Sequence, residues 1–199
     1  MAMKKIILCL LLLLCVSCAK EEETVSSLNQ GCDDACSISA YEYADMSGYE
    51  GFESEKDVFV ETDVKGMLEM LEDNKTFVIY FGFERCPWCI AALPSLYQAA
   101  VDNDSIVYYV DTRKDEGVSS NIEIADYDLL VEAVGEYFEL DDDDIPHLYT
   151  PYVFFVKEGK VVATHQGTFA DHDATSTSLT AEQQAELTQI YNDYFALLK

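Results

Sequence analysis

Cys86 and Cys89 stand in the stretch FERCPWCIAALP with Pro87 and Trp88 between them. Two thiols at this spacing suit disulfide exchange: one sulfur attacks as a thiolate, and the other, one helical turn further on, resolves the mixed disulfide. A cysteine in the first turn of a helix lies where unpaired backbone N–H groups and the helix dipole favour negative charge, so its thiol is acidified. Cys86 is expected there as the nucleophile, with Cys89 as the resolving thiol. Pro87 suits the first helical position because it has no N–H to leave unpaired. Arg85 would favour the thiolate and Glu84 would partly oppose it. Trp88 either supplies an apolar collar for an extended substrate or simply packs.

Other uses of such a pair carry less weight. With Cys32 and Cys36 it could complete a four-thiolate zinc site, but structural zinc pairs usually sit on a knuckle rather than between a buried strand and a helix. As a purely structural bond it would close a tiny loop and constrain the unfolded chain little. The expectation is therefore no metal and no organic cofactor, the redox group being the Cys86–Cys89 disulfide itself. Cys32 and Cys36, in GCDDAC, read as a local disulfide, with exchange towards Cys86 as the alternative. His147, His165 and His172 are scattered; the Asp171-His172-Asp173 triplet is a polar loop that could grip a metal only weakly. Asp141 to Asp144 lack the alternating acids, glycine and following glutamate of an EF-hand loop.

The elements around the motif follow from periodicity. TFVIYF, from Thr76 to Phe81, is short, β-branched and aromatic, and reads as a strand buried on both faces. CIAALPSLYQAAV after it returns to helical spacing, kinked at Pro94. Before it, Val64, Met67, Leu68 and Leu71 mark one helical face, with Thr62 as candidate N-cap. SIVYYV, from Ser105 to Val110, is a second apolar strand, and Leu130, Val134, Tyr137 and Phe138 mark a helix within Asp126 to Leu140. YVFFV (Tyr152 to Val156) and KVVATH (Lys160 to His165) flank Lys157 to Gly159 as a hairpin. A last helix opens with a capping box, Thr180 with Gln183, and should bury Leu187, Ile190, Tyr191, Tyr194 and Leu198. The segment Gln30 to Glu55 is expected to be irregular. A strand-helix-strand unit followed by a hairpin and a closing helix predicts an α/β sandwich with a mixed sheet covered on both faces.

At 199 residues and 49% hydrophobic content the chain can bury one substantial core. Lys4 and Lys5 precede an apolar run from Ile6 to Val16 that is short for a membrane span and reads as a signal peptide. Ser17-Cys18 resembles the lipobox of bacterial lipoproteins, whose cysteine is lipidated. The usual aliphatic residue three before it is here Cys15, and cleavage after Ala19 by an ordinary signal peptidase is the alternative. Lys20 to Gln30 then form a tether, giving three parts: 1–18 signal, 19–55 tether and irregular segment, 56–199 folded domain. The expected location is the outer face of the cell membrane through a lipid anchor, or outside the cell if Cys18 is not lipidated. With a formal charge of −26 the chain repels phosphate backbones, so nucleic acid is not an expected partner.

Strand, CxxC, helix resembles the thioredoxin superfamily from about Asp57 to Lys199, with Pro94 where that family kinks its helix. TPYVFFVKEGKVVATHQG is similar to the family's Thr-(cis-Pro)-strand-turn-strand segment, with Gly159 and Gly167 in register. The resemblance implies a thioredoxin-like three-layer sandwich, a cis bond before Pro151 beside Cys86, and a Thr150 backbone that pairs with substrate. Pro146 is the rival for that role. Two departures stand out: the dipeptide is Pro-Trp, closer to glutaredoxins, and the strand position of the family's buried proton-transferring Asp is Tyr80. That leaves the carboxylate missing or supplied by Glu84. Thr112 to Asp126 and Thr168 to Thr180 read as insertions. The expected function is an extracytoplasmic thiol-disulfide oxidoreductase, working as a monomer on cysteines of exported proteins with an extracytoplasmic or membrane redox partner. The alternative is a non-catalytic accessory protein similar to the bacteriocin-transport accessory type of Gram-positive bacteria.

Overall fold

The computed structural model of the chain describes residues 42–114 and 117–199. The signal segment, Cys18, Cys32 and Cys36 lie outside the described residues. A five-stranded sheet forms from β1 (Phe59–Glu61), β2 (Phe77–Gly82), β3 (Val107–Asp111), β8 (Tyr152–Lys157) and β9 (Lys160–Gln166), in the order β1-β3-β2-β8-β9. The first three run parallel, β8 is antiparallel to β2, and β9 is antiparallel to β8. Four helices cover it: α1 (Val64–Glu72), α2 (Pro87–Asp102), α3 (Ile124–Val134) and α4 (Ala181–Ala196). This is the thioredoxin-like three-layer α/β sandwich that the sequence predicts.

Alternation along the strands assigns each side chain to a layer. Val78 and Tyr80 of β2, Val107 and Tyr109 of β3, and Val153 and Phe155 of β8 meet α2 and α4. Phe77, Ile79 and Phe81, with Val110 and with Tyr152, Phe154 and Val156, meet α1 and α3. All six residues of β2 are buried, because both of its faces are covered. From this central strand the chain emerges directly into α2.

Local chemistry fixes the ends of the elements. The N-cap of α1 is Asp63, whose carboxylate accepts the Gly66 N–H at 2.8 Å, and not Thr62 as expected; a carboxylate one residue later caps the same turn. The Thr180–Gln183 capping box of α4 is present in both directions. Within α4 the buried residues are Leu187, Tyr191 and Phe195, spaced by four. Tyr194 and Leu198 are half-buried against the same core, whereas Ile190 stands at the core's margin. The helix expected from Asp126 to Leu140 stops at Val134, continues as a 3-10 turn (Gly135–Tyr137), and gives way to short strands β6 (Glu139–Leu140) and β7 (Pro146–His147). The β8–β9 turn has positive φ at both Glu158 (51°) and Gly159 (71°), which suits the twist of a two-residue hairpin. A Cβ at Gly159 would press on the Leu71 carbonyl and the Asn74 backbone, so the turn docks there only as glycine.

Described residues of the two segments that read as insertions contact the body: the Asn121 amide donates to the Asp111 carbonyl at 3.1 Å, and the Trp88 indole to the His172 carbonyl at 3.4 Å. Short strands β4 (Arg113–Lys114) and β5 (Ser119–Ser120) pair within the first. In the second, His172 bonds Thr168 Oγ1 at 2.7 Å through Nδ1 and the Thr177 carbonyl at 2.9 Å through Nε2. Residues 42–55 lack regular structure yet are not peripheral. Ala44 N–H donates to the Phe59 carbonyl and Glu61 N–H to the Glu42 carbonyl, both at 3.0 Å, alongside β1. Met46 and Tyr49 are buried in the α2/α4 core.

Candidate active site

The site forms where β2 ends and α2 begins. Phe83, Glu84 and Arg85 make the connecting turn, closed by the Cys86 N–H donating to the Phe83 carbonyl at 3.2 Å. Cys86 is the N-cap of α2, extended at φ −79° and ψ 115°, and Pro87 begins the helix. The Cys86 sulfur therefore takes the place of the usual hydroxyl or carboxylate cap, accepting the Cys89 N–H at 3.2 Å. From the opposite wall the Thr150 hydroxyl donates to the same sulfur at 3.8 Å, and the thiol in turn donates to the Thr150 carbonyl at 3.6 Å. The Thr150–Pro151 bond is cis, and Pro146 lies in β7 instead. Both cysteines are free thiols.

The pair is chemically asymmetric. The Cys89 thiol donates to the Cys86 sulfur and, with the N–H groups of Cys89 and Trp88 and the Thr150 hydroxyl, outweighs burial and lowers the Cys86 pKa from 9.0 to about 7. Burial pushes Cys89 the other way, well above its ordinary value, and the neighbouring Cys86 adds to that shift. Near neutral pH this arrangement gives one thiolate-competent sulfur and one thiol held in reserve behind it.

Cys86 is 4% exposed and Cys89 is 0% exposed. The loop and helix around them line an open cleft with Gly48, Glu84, Arg85, Pro87, Ile90 and Gln184. Glu84 and Arg85 are exposed on its rim. The Trp88 indole N–H donates to the His172 carbonyl at 3.4 Å, which ties the segment before α4 to the first turn of α2.

Tyr49, Tyr80 and Tyr109 pack in the same core as Cys89, as does Tyr191 of α4; the sequence marks Tyr80 and Tyr191 but not the other two. The Tyr80 hydroxyl favours the Cys89 thiolate, an effect that burial outweighs. It lies 3.4 Å from the Tyr49 hydroxyl, which donates to the Tyr109 hydroxyl at 3.1 Å. Tyr80 and Tyr109, on adjacent parallel strands, stack with ring centroids 5.6 Å apart. Room for the Tyr80 ring comes from Gly82, two residues on along the same face, where a Cβ would overlap the phenol. The pairing of β2 with β3 predicts the meeting of Tyr80 and Tyr109. Nothing local to Tyr49, in an irregular segment, points to its place.

No family model and no curated protein sequence matches the chain. Among solved structures, thioredoxin O2 of Arabidopsis thaliana in its oxidised state is 18% identical, over 67% of this chain and 95% of its own, with a TM-score of 0.37. Thioredoxin f2 of Chlamydomonas reinhardtii is 15% identical, over 66% and 95%, with a TM-score of 0.37. The exposed lipoprotein thioredoxin of Streptococcus pneumoniae is 24% identical, over 62% and 94%, with a TM-score of 0.30. At these scores the likeness carries no argument about chemistry, which rests on this chain's own residues.

Proposed function

We propose that the protein is an extracytoplasmic thiol-disulfide oxidoreductase, tethered through Cys18 and acting as a monomer on cysteines of exported proteins. The observation that carries this reading is the inequality of the two sulfurs. Cys86 caps a helix and receives donors from Cys89 and Thr150, while Cys89 waits fully buried at its back. In the dithiol form the Cys86 thiolate attacks a substrate disulfide, forming a mixed disulfide and releasing one substrate thiolate. Cys89 then attacks Cys86, closing the Cys86–Cys89 bond and releasing the second substrate sulfur. Run backwards, the same steps oxidise a substrate dithiol. The Thr150 backbone beside Pro151 is the proposed platform for a substrate strand, with Arg85, Glu84 and Trp88 at its edge. A redox partner at the membrane or outside the cell recycles the couple and sets the direction.

The tight cover over Cys86 favours a second reading, a non-catalytic accessory protein that keeps the fold as a scaffold. Reactivity separates the two. The rate of Cys86 alkylation by iodoacetamide should rise with pH, because the thiolate reacts, with its midpoint at about 7. Cys86→Ser should abolish both this fast alkylation and insulin reduction. A midpoint near the ordinary thiol value, with no reduction of insulin by the unaltered protein, supports the scaffold.

A further inference from the structure

We propose that Cys32 and Cys36 are an internal redox partner of Cys86: the acidic stretch Cys32-Asp33-Asp34-Ala35-Cys36 docks in a basic cleft beside the active site and exchanges its disulfide with the Cys86–Cys89 pair. The proposal rests on the oxidoreductase reading and gives the second cysteine pair a part in it.

The chain enters the folded body from the active-site edge of the sheet. Strands β1, β3 and β2 run parallel, so their ends at Glu61, Asp111 and Gly82 share one edge, and Cys86 follows Gly82 there. Tyr43 bridges Val60 in the antiparallel sense, with Glu61 N–H donating to the Glu42 carbonyl and Ala44 N–H to the Phe59 carbonyl. Residues before Glu42 therefore lead away past the end of β1, at that same edge. The strand that delivers Cys86 is three positions across, in the order segment, β1, β3, β2. At about 4.8 Å per strand this is roughly 14 Å. Cys36 stands six residues before Glu42 and Cys32 ten, and at about 3.3–3.6 Å per residue these lengths extend to about 20 and 35 Å. Both lengths cover the span.

The cleft lies on this route, between the turn after β2 and the hairpin after β3. Phe83, Glu84, Arg85, Asp111, Arg113 and Lys114 line its volume of about 420 Å³. Three of the five charged side chains are cationic, in a chain with 38 acids and 12 lysines and arginines, so the cleft departs from the surface around it. Asp111 is engaged by the hairpin itself, its carboxylate accepting the Arg113 N–H at 3.1 Å. The Arg113 guanidinium lies 5.9 Å from the centroid of the Phe83 ring, which holds its charge at the cleft wall. Asp33 and Asp34 bring the opposite charge, placed between the two cysteines. Walls of one sign focus such attraction. The cover over Cys86 also favours a tethered partner, because a short linker supplies an effective concentration of about millimolar that a free protein rarely matches.

The step conserves atoms and electrons. The Cys86 thiolate attacks the Cys36 sulfur of a Cys32–Cys36 disulfide, whose S–S bond breaks with its electron pair on Cys32. Cys89 then loses its proton and attacks Cys86, releasing Cys36 with the electron pair of the mixed disulfide. Cys86 and Cys89 are oxidised by two electrons, Cys32 and Cys36 are reduced by two, and the Cys89 proton passes through water to one of the released sulfurs. Run backwards, the same steps return the Cys86–Cys89 pair to its dithiol form.

The test uses the full chain carrying Cys32→Ser and Cys89→Ser, which keeps Cys36 and Cys86, in a glutathione redox buffer at low protein concentration. Peptide mapping by mass spectrometry reads the Cys36–Cys86 bond, and non-reducing electrophoresis shows whether it lies within one chain. The bond should form within one chain, with an effective concentration of at least about 1 mM. Asp33→Lys with Asp34→Lys should lower that value at least about fivefold, as should Arg113→Glu with Lys114→Glu, and all four together should restore it to within about twofold. Absence of the bond, or a bond only between chains, overturns the proposal. So does a bond indifferent to the charge changes, or a loss that the combined variant does not restore. If the unaltered chain reduces insulin in those cases, the oxidoreductase reading stands without the relay. An unaltered chain that fails to reduce insulin overturns that reading, and the relay with it.

Discussion

At the scale of single residues, neighbours a few ångströms away decide what two identical side chains do. Cys86 and Cys89 differ because one receives several donors at a helix mouth and the other receives mainly apolar surface. Gly82 shows the same dependence from the opposite direction, since what it contributes is the space it leaves for Tyr80. Gly82→Ala should destabilise the protein by about 1–3 kcal/mol, as overpacking of a close-packed core does. Urea unfolding measures the loss, and Tyr80→Phe in the same chain should recover part of it. No recovery would mean that the ring is not what the new methyl meets. At this scale the sequence displayed the CxxC pair, Thr150 and Pro151 by spacing. Tyr49 and Tyr109 stayed hidden because their roles come from partners 31 and 60 residues apart along the chain.

At the scale of elements, α2 presents Cys86 and α4 holds α2 in place. The Ser95 hydroxyl donates to the Gln184 carbonyl at 3.1 Å, and Asn103 bonds Asn192 at 2.7 Å, so the two helices are pinned at both ends of their contact. The start of α4 depends on its capping box, in which the Thr180 hydroxyl accepts the Gln183 N–H at 3.2 Å and Gln183 accepts the Thr180 N–H at 2.9 Å. Thr180→Ala should therefore cost about 1 kcal/mol in urea unfolding. It should leave the pH midpoint of Cys86 alkylation where it was, because the donors that acidify the sulfur come from Cys89, Trp88 and Thr150 and not from the cap. A shifted midpoint would show that α4 sets the geometry of the thiol as well as its support. The capping box and the strands were readable from residue type and period. The end of α3 was not, because Gly135 and the short β6–β7 ladder break a helical pattern that Tyr137 and Phe138 continue.

At the scale of the whole molecule, the packed body takes in more of the chain than periodicity marks out. Residues 42–44 lie beside β1, Tyr49 enters the core, and the Tyr97 hydroxyl accepts the N–H groups of Glu55 and Lys56 at 2.9 and 3.1 Å. A fragment beginning at Lys56 should thus be less stable than one beginning at Glu42 by at least about 3 kcal/mol, the scale of losing one buried aromatic side chain. Equal urea midpoints would show that the segment only rests on the surface. The charge of −26 belongs to this scale too, as a property of the solvated surface that steers partners without choosing the fold.

What residue order settles here is the part written in short-range patterns. Apolar periodicity and turn residues give the α/β sandwich, and Cys-x-x-Cys at a strand-to-helix junction gives the neighbouring thiols, because both follow from contacts within a few positions. The folded chain alone decides how far Cys86 is covered, that Thr150 faces it, and that the hydroxyls of Tyr80, Tyr49 and Tyr109 meet in the core that holds Cys89. Those are contacts between residues distant in sequence, and only the packing of one layer on another brings them within hydrogen-bonding range.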